Sequence, residues 1–314
     1  MAQRKILPLL LCFLLFPVLD MYADRDETLF AFVQYKVQTD TYVDRQKFAQ
    51  DVGKLVESAV KNGAGVVVFP EYTNVFLATI PLAEELNKIR SLGEGLRILH
   101  SHYGPKVGLK EFFLLRSAEV REIMNTVWGE LARKHRIWIA AGTAFSPGER
   151  GSLRNRLFVY GPDGTVRYTQ DKVYLTPFEE EVLRLDPGSL SSAGIVGING
   201  YDCAFTICRD TFFEEWEKKF GQADLWVDLK ANGADYDQEA KKIFREALPE
   251  RISRTEVGTG ATVCLTGSFL ELFWEGKSSV IRSTDEGEGY TAVAVAKNPE
   301  QEQILYILIS DSSS

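Results

Sequence analysis

Residues 201–210 read YDCAFTICRD, and the alternation in that stretch decides the fold. Tyr201, Cys203, Phe205 and Ile207 fall on one face, and Asp202, Ala204, Thr206 and Cys208 on the other, which is the period of a β-strand. The continuation, TFFEEWEKKFG, changes to helical spacing. Phe212, Phe213, Trp216 and Phe220 share a stripe, with Glu214, Glu215, Lys218 and Lys219 opposite. Cys208 therefore stands where a buried strand turns into a helix. A sulfur at such a junction faces out of the sheet near helical N–H groups, which favour a thiolate. Free cysteine is also among the most buried residue types, so this segment alone equally describes a small core hydrophobe.

Two other segments bear on that choice. GVVVFPEYTN (residues 65–74) is a continuous apolar run ending in a carboxylate. Val66, Val67, Val68 and Phe69 read as a strand covered on both faces, and Glu71 stands just past its end, where open α/β sheets place their chemistry. TQDKVYLTPFEEE (residues 169–181) sets Lys172 before a short apolar stretch and three glutamates. A lysine near carboxylates in a partly buried place can stay charged and act as a hydrogen-bond donor. Each segment alone is equally compatible with a solvated surface.

Taken together, in this order, the three strings resemble the nitrilase superfamily of carbon–nitrogen hydrolases and its Glu–Lys–Cys triad. FPEYT is similar to the glutamate motif. DKVYLTPFEEE resembles the lysine motif, with Leu175, Pro177 and Glu180 at its later positions, and ICRDTFFEEW resembles the cysteine motif, with acids at Asp210 and Glu215. The resemblance runs from about Thr28 to Ile309. Three departures stand out: Arg209 replaces an aromatic after the cysteine, Glu179 replaces Gly, and Glu214 replaces Pro. They add charge near the expected pocket and bear on substrate choice more than on the triad.

The resemblance implies a four-layer αββα sandwich of the carbon–nitrogen hydrolase type, a fold that often pairs through its outer helices. A homo-oligomer is therefore left open. It also implies roles: Cys208 attacks, Glu71 carries protons, Lys172 and the backbone N–H of Arg209 hold the oxyanion, and Glu180 supports them from behind. Amide hydrolysis needs such a nucleophile, proton carrier and charge holder. The expected activity is thiol-dependent hydrolysis of a non-peptide C–N bond in a small amide-type substrate. An N-acyltransferase could use the same acyl-enzyme, and a catalytically silent binding protein could share the fold. The family's transferases in lipoprotein maturation carry several membrane-spanning segments, whereas the intact Glu71, Lys172 and Cys208 weigh against a silent binder.

No cofactor is expected. The three histidines are His100, His102 and His135; the first two lie in HSHYG, and a pair without further ligands is a poor zinc signature. The chain carries 36 basic and 44 acidic residues, net charge −8, which argues against nucleic acid and anionic membrane surfaces as partners. With 45 % hydrophobic residues it can bury one large core, so residues 24–314 read as a single domain.

Residues 1–23 read as a cleavable signal peptide: Arg4 and Lys5, then an apolar run from Ile6 to Leu19, then a small residue at Ala23. The expected location is periplasmic or extracellular, with membrane contact only if this segment stays uncleaved. Beyond it three cysteines remain, Cys203, Cys208 and Cys264. An odd number leaves at least one free thiol, and a Cys203–Cys264 bridge is geometrically open.

Along the chain, strand and helix patterns alternate. A helical stripe of Phe48, Val52, Leu55 and Val56 follows Asp44, helical stretches are expected near Ile80–Leu99 and around Met124, and GPDG makes a hairpin turn. Pocket loops are expected around 77–109, 179–190 and 230–236.

Overall fold

A computed structural model describes residues 27–284 and 289–310. The expected signal segment lies outside the described residues.

The strands are β1 (Thr28–Val37), β2 (Val66–Val68), β3 (Trp138–Pro147), β4 (Leu153–Tyr160), β5 (Val166–Asp171), β6 (Val196–Ile198) and β7 (Tyr201–Ile207). There follow β8 (Leu225–Lys230), β9 (Thr259–Phe269), β10 (Leu272–Trp274), β11 (Ser279–Ser283), β12 (Tyr290–Val295) and β13 (Gln303–Ile309). The helices are α1 (Arg45–Lys61), α2 (Ala83–Leu86), α3 (Leu92–Tyr103), α4 (Leu109–His135), α5 (Glu215–Phe220), α6 (Gln238–Glu246) and α7 (Leu248–Ser253).

The strands make two halves with one pairing logic. In the first, β13–β1–β2–β3–β4–β5, the neighbours run antiparallel, parallel, parallel, antiparallel, antiparallel. The second, β6–β7–β8–β9–β11–β12, has the same series. Only the ends of β1 and β9 join them, over Tyr35–Val37 and Leu265–Gly267.

The burial pattern supplies the layers. Phe30, Phe32, Val66 and Val68 meet Cys203, Phe205, Ile207, Val227 and Val263 in one apolar cluster between the sheets. The opposite face of the first sheet packs on α1 and α4 through Phe48, Val52, Val56, Val127 and Trp128. The opposite face of the second packs on α5 and α7 through Trp216, Phe220, Leu248 and Ile252. The fold is thus αββα, as the resemblance implies. The alternation in YDCAFTICRD is realised: Tyr201, Cys203, Phe205 and Ile207 face the other sheet, while Ala204 faces the helices.

Local signals account for most of the elements. Asp44 caps α1 by accepting from the backbone N–H groups of Gln46 and Lys47. α4 ends at His135 with Arg136 left-handed behind it, as the histidine's position suggests. The GPDG turn closes the β4–β5 hairpin, with Gly161 N donating to Thr165 O at 2.9 Å.

The expected helix over Ile80–Leu99 is broken instead into a 3-10 segment (Val75–Leu82), α2 and α3. Pro81 lies within the 3-10 stretch, and Ser91 opens α3 with a capping box to Glu94. Among the described residues no helix is long and apolar enough to cross a membrane, and Cys203, Cys208 and Cys264 are all free thiols.

Candidate active site

Glu71, Lys172 and Cys208 come from three turns that follow β2, β5 and β7, and they line one cavity of about 430 Å³. The two turns carrying Glu71 and Cys208 are both strained. Cys208 has φ 53°, and Tyr72, immediately after Glu71, has φ 62°. Left-handed backbone at bulky residues persists only where the surroundings enforce it.

The enforcement is visible around Glu71. Tyr72 N donates to Thr143 Oγ1 at 2.8 Å, and Asn74 Nδ2 donates to Ala141 O at 2.7 Å. Trp128 Nε1 donates to Asn74 Oδ1 at 2.7 Å, and Tyr42 Oη donates to Thr73 O at 2.8 Å. Gly142, at φ 71°, lets this turn lie directly on β3. A Cβ there would stand 2.1 Å from the carbonyl oxygen of Pro70.

Lys172 is buried between two carboxylates. Its Nζ lies 2.8 Å from Glu71 Oε1 and 2.7 Å from Glu179 Oε2. Asn155 Nδ2 donates to both acids, at 2.8 Å to Glu71 Oε1 and 3.1 Å to Glu179 Oε1. Glu71 Oε2 is buried and has no hydrogen-bond partner. One carboxylate oxygen of Glu71 is fully engaged while the other remains open.

The expectation for Glu180 is corrected by this geometry. Glu180 is exposed, and Glu179, one residue earlier, takes the place beside Lys172. The cause is a cap at the start of the turn. Glu179 Oε2 accepts from Thr176 N at 2.9 Å and Thr176 Oγ1 at 3.0 Å, and Glu179 N donates back to Thr176 Oγ1 at 3.3 Å. Residues 178–182 then wind as a wide π turn that leaves Glu180 outside. The signal was present as Thr-Pro-Phe-Glu, a capping-box pattern with Pro at its second position.

Asn155 was also missed. It sits on β4 in LRNRLFVY at a position that alternates with buried Leu153 and Leu157. A polar residue in the apolar phase of a strand was the available sign. Asp210 is the third support, joining the cysteine and lysine turns. Its Oδ1 accepts from Val173 N at 3.0 Å and Tyr174 N at 2.7 Å, and its Oδ2 accepts from Ile207 N at 3.3 Å.

The electrostatics separate the two acids. Burial pushes the Glu71 carboxyl up to about 7, against the pull of Lys172. Burial opposes ionisation of Glu179 too, but Lys172 and the hydrogen bonds outweigh it and hold that carboxyl below its ordinary value. Burial opposes charge on Lys172, yet Glu71, Cys208 and Glu179 more than compensate and raise its pKa.

Cys208 behaves differently from the expectation of a helix-favoured thiolate. Burial, then the Glu71 charge, push its thiol up to about 12, with Lys172 and Lys230 opposing. Only a five-residue 3-10 turn follows the cysteine before the short α5, so few aligned N–H groups act on the sulfur. The Cys208 thiol is therefore neutral at rest.

Two of the charged departures from the motif, Glu179 and Arg209, and the neighbouring Lys230 are engaged within the protein, while Glu214 is exposed and pairs with Arg254. Glu179 pairs with Lys172, the Arg209 guanidinium donates to the carbonyl of Leu175, and Lys230 Nζ lies 2.9 Å from Asp228 Oδ2. The rest of the cavity wall includes Tyr72, Phe178, Leu272, Phe273 and Trp274, with Ala231 and Gly233. The β9–β10 hairpin was not expected there, whereas part of 230–236 was.

Residues 29–234 match the carbon–nitrogen hydrolase family. The chain belongs to that family and is a carbon–nitrogen hydrolase. The fold is similar to crystal structures of an amidase from Nesterenkonia sp. AN1, of the nitrilase superfamily. A variant of that amidase in complex with acrylamide matches at 17 % identity and TM-score 0.62, over 91 % of this chain and 92 % of that one. A variant carrying the acetamide moiety of fluoroacetamide on its active-site cysteine matches at 16 % and 0.62, over 92 % of both chains. Another, in complex with butyramide, matches at 16 % and 0.62, over 91 % and 92 %. No curated protein matches the chain significantly.

The placement of Glu179 leads to a paired expectation. Glu179→Gln puts an amide among donors that all point at a carboxylate, leaving groups unpaired at about 1–3 kcal/mol each. Hydrolase activity should fall roughly 10- to 100-fold, while Glu180→Gln should stay within about twofold of the parent. Steady-state kinetics on both variants checks this; equal losses would undo the assignment.

Proposed function

We propose that the protein hydrolyses a small amide through an acyl-cysteine intermediate, with Cys208 as nucleophile, Glu71 as proton carrier and Lys172 as oxyanion holder. One observation carries the reading: a buried carboxyl lifted to about 7, with one free oxygen, shares a cavity with a neutral thiol. Such an acid is poised to take and return protons near neutral pH.

In the first half-reaction the thiol proton passes to Glu71 as the sulfur bonds the amide carbonyl carbon. The oxygen's developing negative charge is met by the Lys172 ammonium and by the backbone N–H of Arg209. The C–N bond then breaks, and Glu71 delivers its proton to the departing amine. Water enters, gives a proton to Glu71 and attacks the thioester carbon. The C–S bond breaks, the acid leaves, and the thiolate recovers its proton. Lys172 keeps its charge throughout, because the two acids beside it stabilise the ammonium. The amides bound by the Nesterenkonia amidase support a small amide as substrate here.

The charged and apolar pattern of residues 4–19 supports export with cleavage after Ala23. N-terminal sequencing of the mature protein should then begin at Asp24; a mature chain retaining Met1 would contradict this.

Glu71 must be unprotonated to accept the thiol proton, so kcat/KM should rise with pH through about 7 and be lost below it. A haloacetamide should add once, at Cys208, as read by intact mass and peptide mapping. Lys172→Ala should lose at least ~10²-fold in rate as an oxyanion donor goes. Alkylation at Cys203 or Cys264 before Cys208, or a rate flat from pH 5 to 8, would contradict the reading.

A further inference from the structure

A second cavity, of about 100 Å³, adjoins the catalytic one. The two share Tyr72, Phe178, Leu272 and Trp274 as common wall. The second is further lined by Phe76, Leu86, Leu99, Phe112 and Phe269. Besides the shared Tyr72 and Trp274, Thr79 is the only one of the described lining residues whose side chain carries a polar atom, and its hydroxyl donates to Phe76 O at 2.8 Å. The Tyr72 hydroxyl is likewise spent on Glu179. The surface the cavity presents to a guest is therefore almost entirely apolar.

Its walls come from the segment that carries Pro81 and the α2–α3 break, together with the β9–β10 hairpin. Phe178 stands at the junction and is 36 % exposed although it is a large apolar side chain. An apolar space of about 150 Å³ can stay dry and take benzene, and a water-sized group fills about 30 Å³. This cavity has room for about three methylene-sized groups.

We propose that it is a second subsite that receives a short apolar chain or ring of the substrate while the amide group lies against Cys208. The proposal rests on the amidase reading above and narrows it to amides bearing an apolar arm. With Arg209, Lys230 and Glu179 all committed within the protein and Glu214 paired with Arg254 at the surface, it is this apolar space that selects the substrate.

The test uses the Cys208→Ala protein, so that binding is read without turnover. Titration calorimetry with straight-chain amides from acetamide to octanamide should show affinity rising about three- to fourfold per added methylene. The rise should stop once both spaces are filled. Leu96 lines only the apolar cavity, so a larger side chain there takes up that space and leaves the catalytic cavity unaltered. Leu96→Trp in the same background should remove the gain for the longer chains, with thermal unfolding confirming a folded protein. A matching series of N-alkylacetamides tells whether the arm belongs to the acyl or the amine side, by which series shows the gain that Leu96→Trp removes.

Affinity independent of chain length in both series would overturn the subsite, and so would a gain that survives Leu96→Trp in a folded protein. Should that variant be unstable, the two series on the parent background still decide. Failure of the underlying amidase reading has a separate signature: wild-type protein releasing amine from no member of either series.

Discussion

The arrangement depends on one buried ammonium placed between two buried carboxylates. Removing a charge from water costs several kcal/mol even after relaxation, so Lys172, Glu71 and Glu179 are tolerable inside only as a set. One positive charge cannot neutralise two negative ones equally well. Glu179, with donors from Thr176, Tyr72 and Asn155, is the acid that stays ionised. Glu71, with one oxygen unpartnered, is the acid whose pKa climbs. In the proposed reaction, that division makes Glu71 a proton carrier matched to neutral pH.

The fold exists at this site as a means of bringing three loops together. β2, β5 and β7 end on the same side of the sandwich, and the halves of the sheet touch there through the last residues of β1 and β9. Asp210 fastens the lysine turn to the cysteine turn with backbone hydrogen bonds, and burial lifts its carboxyl to about 7. Gly142 and Thr143 hold the glutamate turn. The left-handed backbone at Tyr72 and Cys208 is sustained by these fastenings, and the strain sits next to two of the three reacting groups.

Much of this was legible in the sequence, because periodicity reports which face a residue shows to a sheet. The strand through Cys208, the strand before Glu71 and the GPDG hairpin each carry an unambiguous local pattern. The three triad positions follow from motifs tied to those strand ends. What escaped detection depends on how turns wind and on which neighbour each charge finds. Three consecutive glutamates look alike on paper, and only the Thr176 cap decides that Glu179 turns inward. Asn155 is one polar letter in an alternating strand, whose partners are distant in sequence. Arg209 reads as a charge bearing on the substrate, until the Leu175 carbonyl is seen to occupy it, and Lys230, in an expected pocket loop, is likewise held by Asp228.

The central claim is that Glu71 is the base without which the partly buried Cys208 thiol is inert. The most direct measurement is the rate of Cys208 alkylation by iodoacetamide against pH, in the wild-type protein and in Glu71→Gln. The account predicts a wild-type rate that climbs through about pH 7 and, in the variant, a rise displaced to higher pH, because burial alone still holds the thiol above its ordinary value. Superimposable profiles for the two proteins would contradict it.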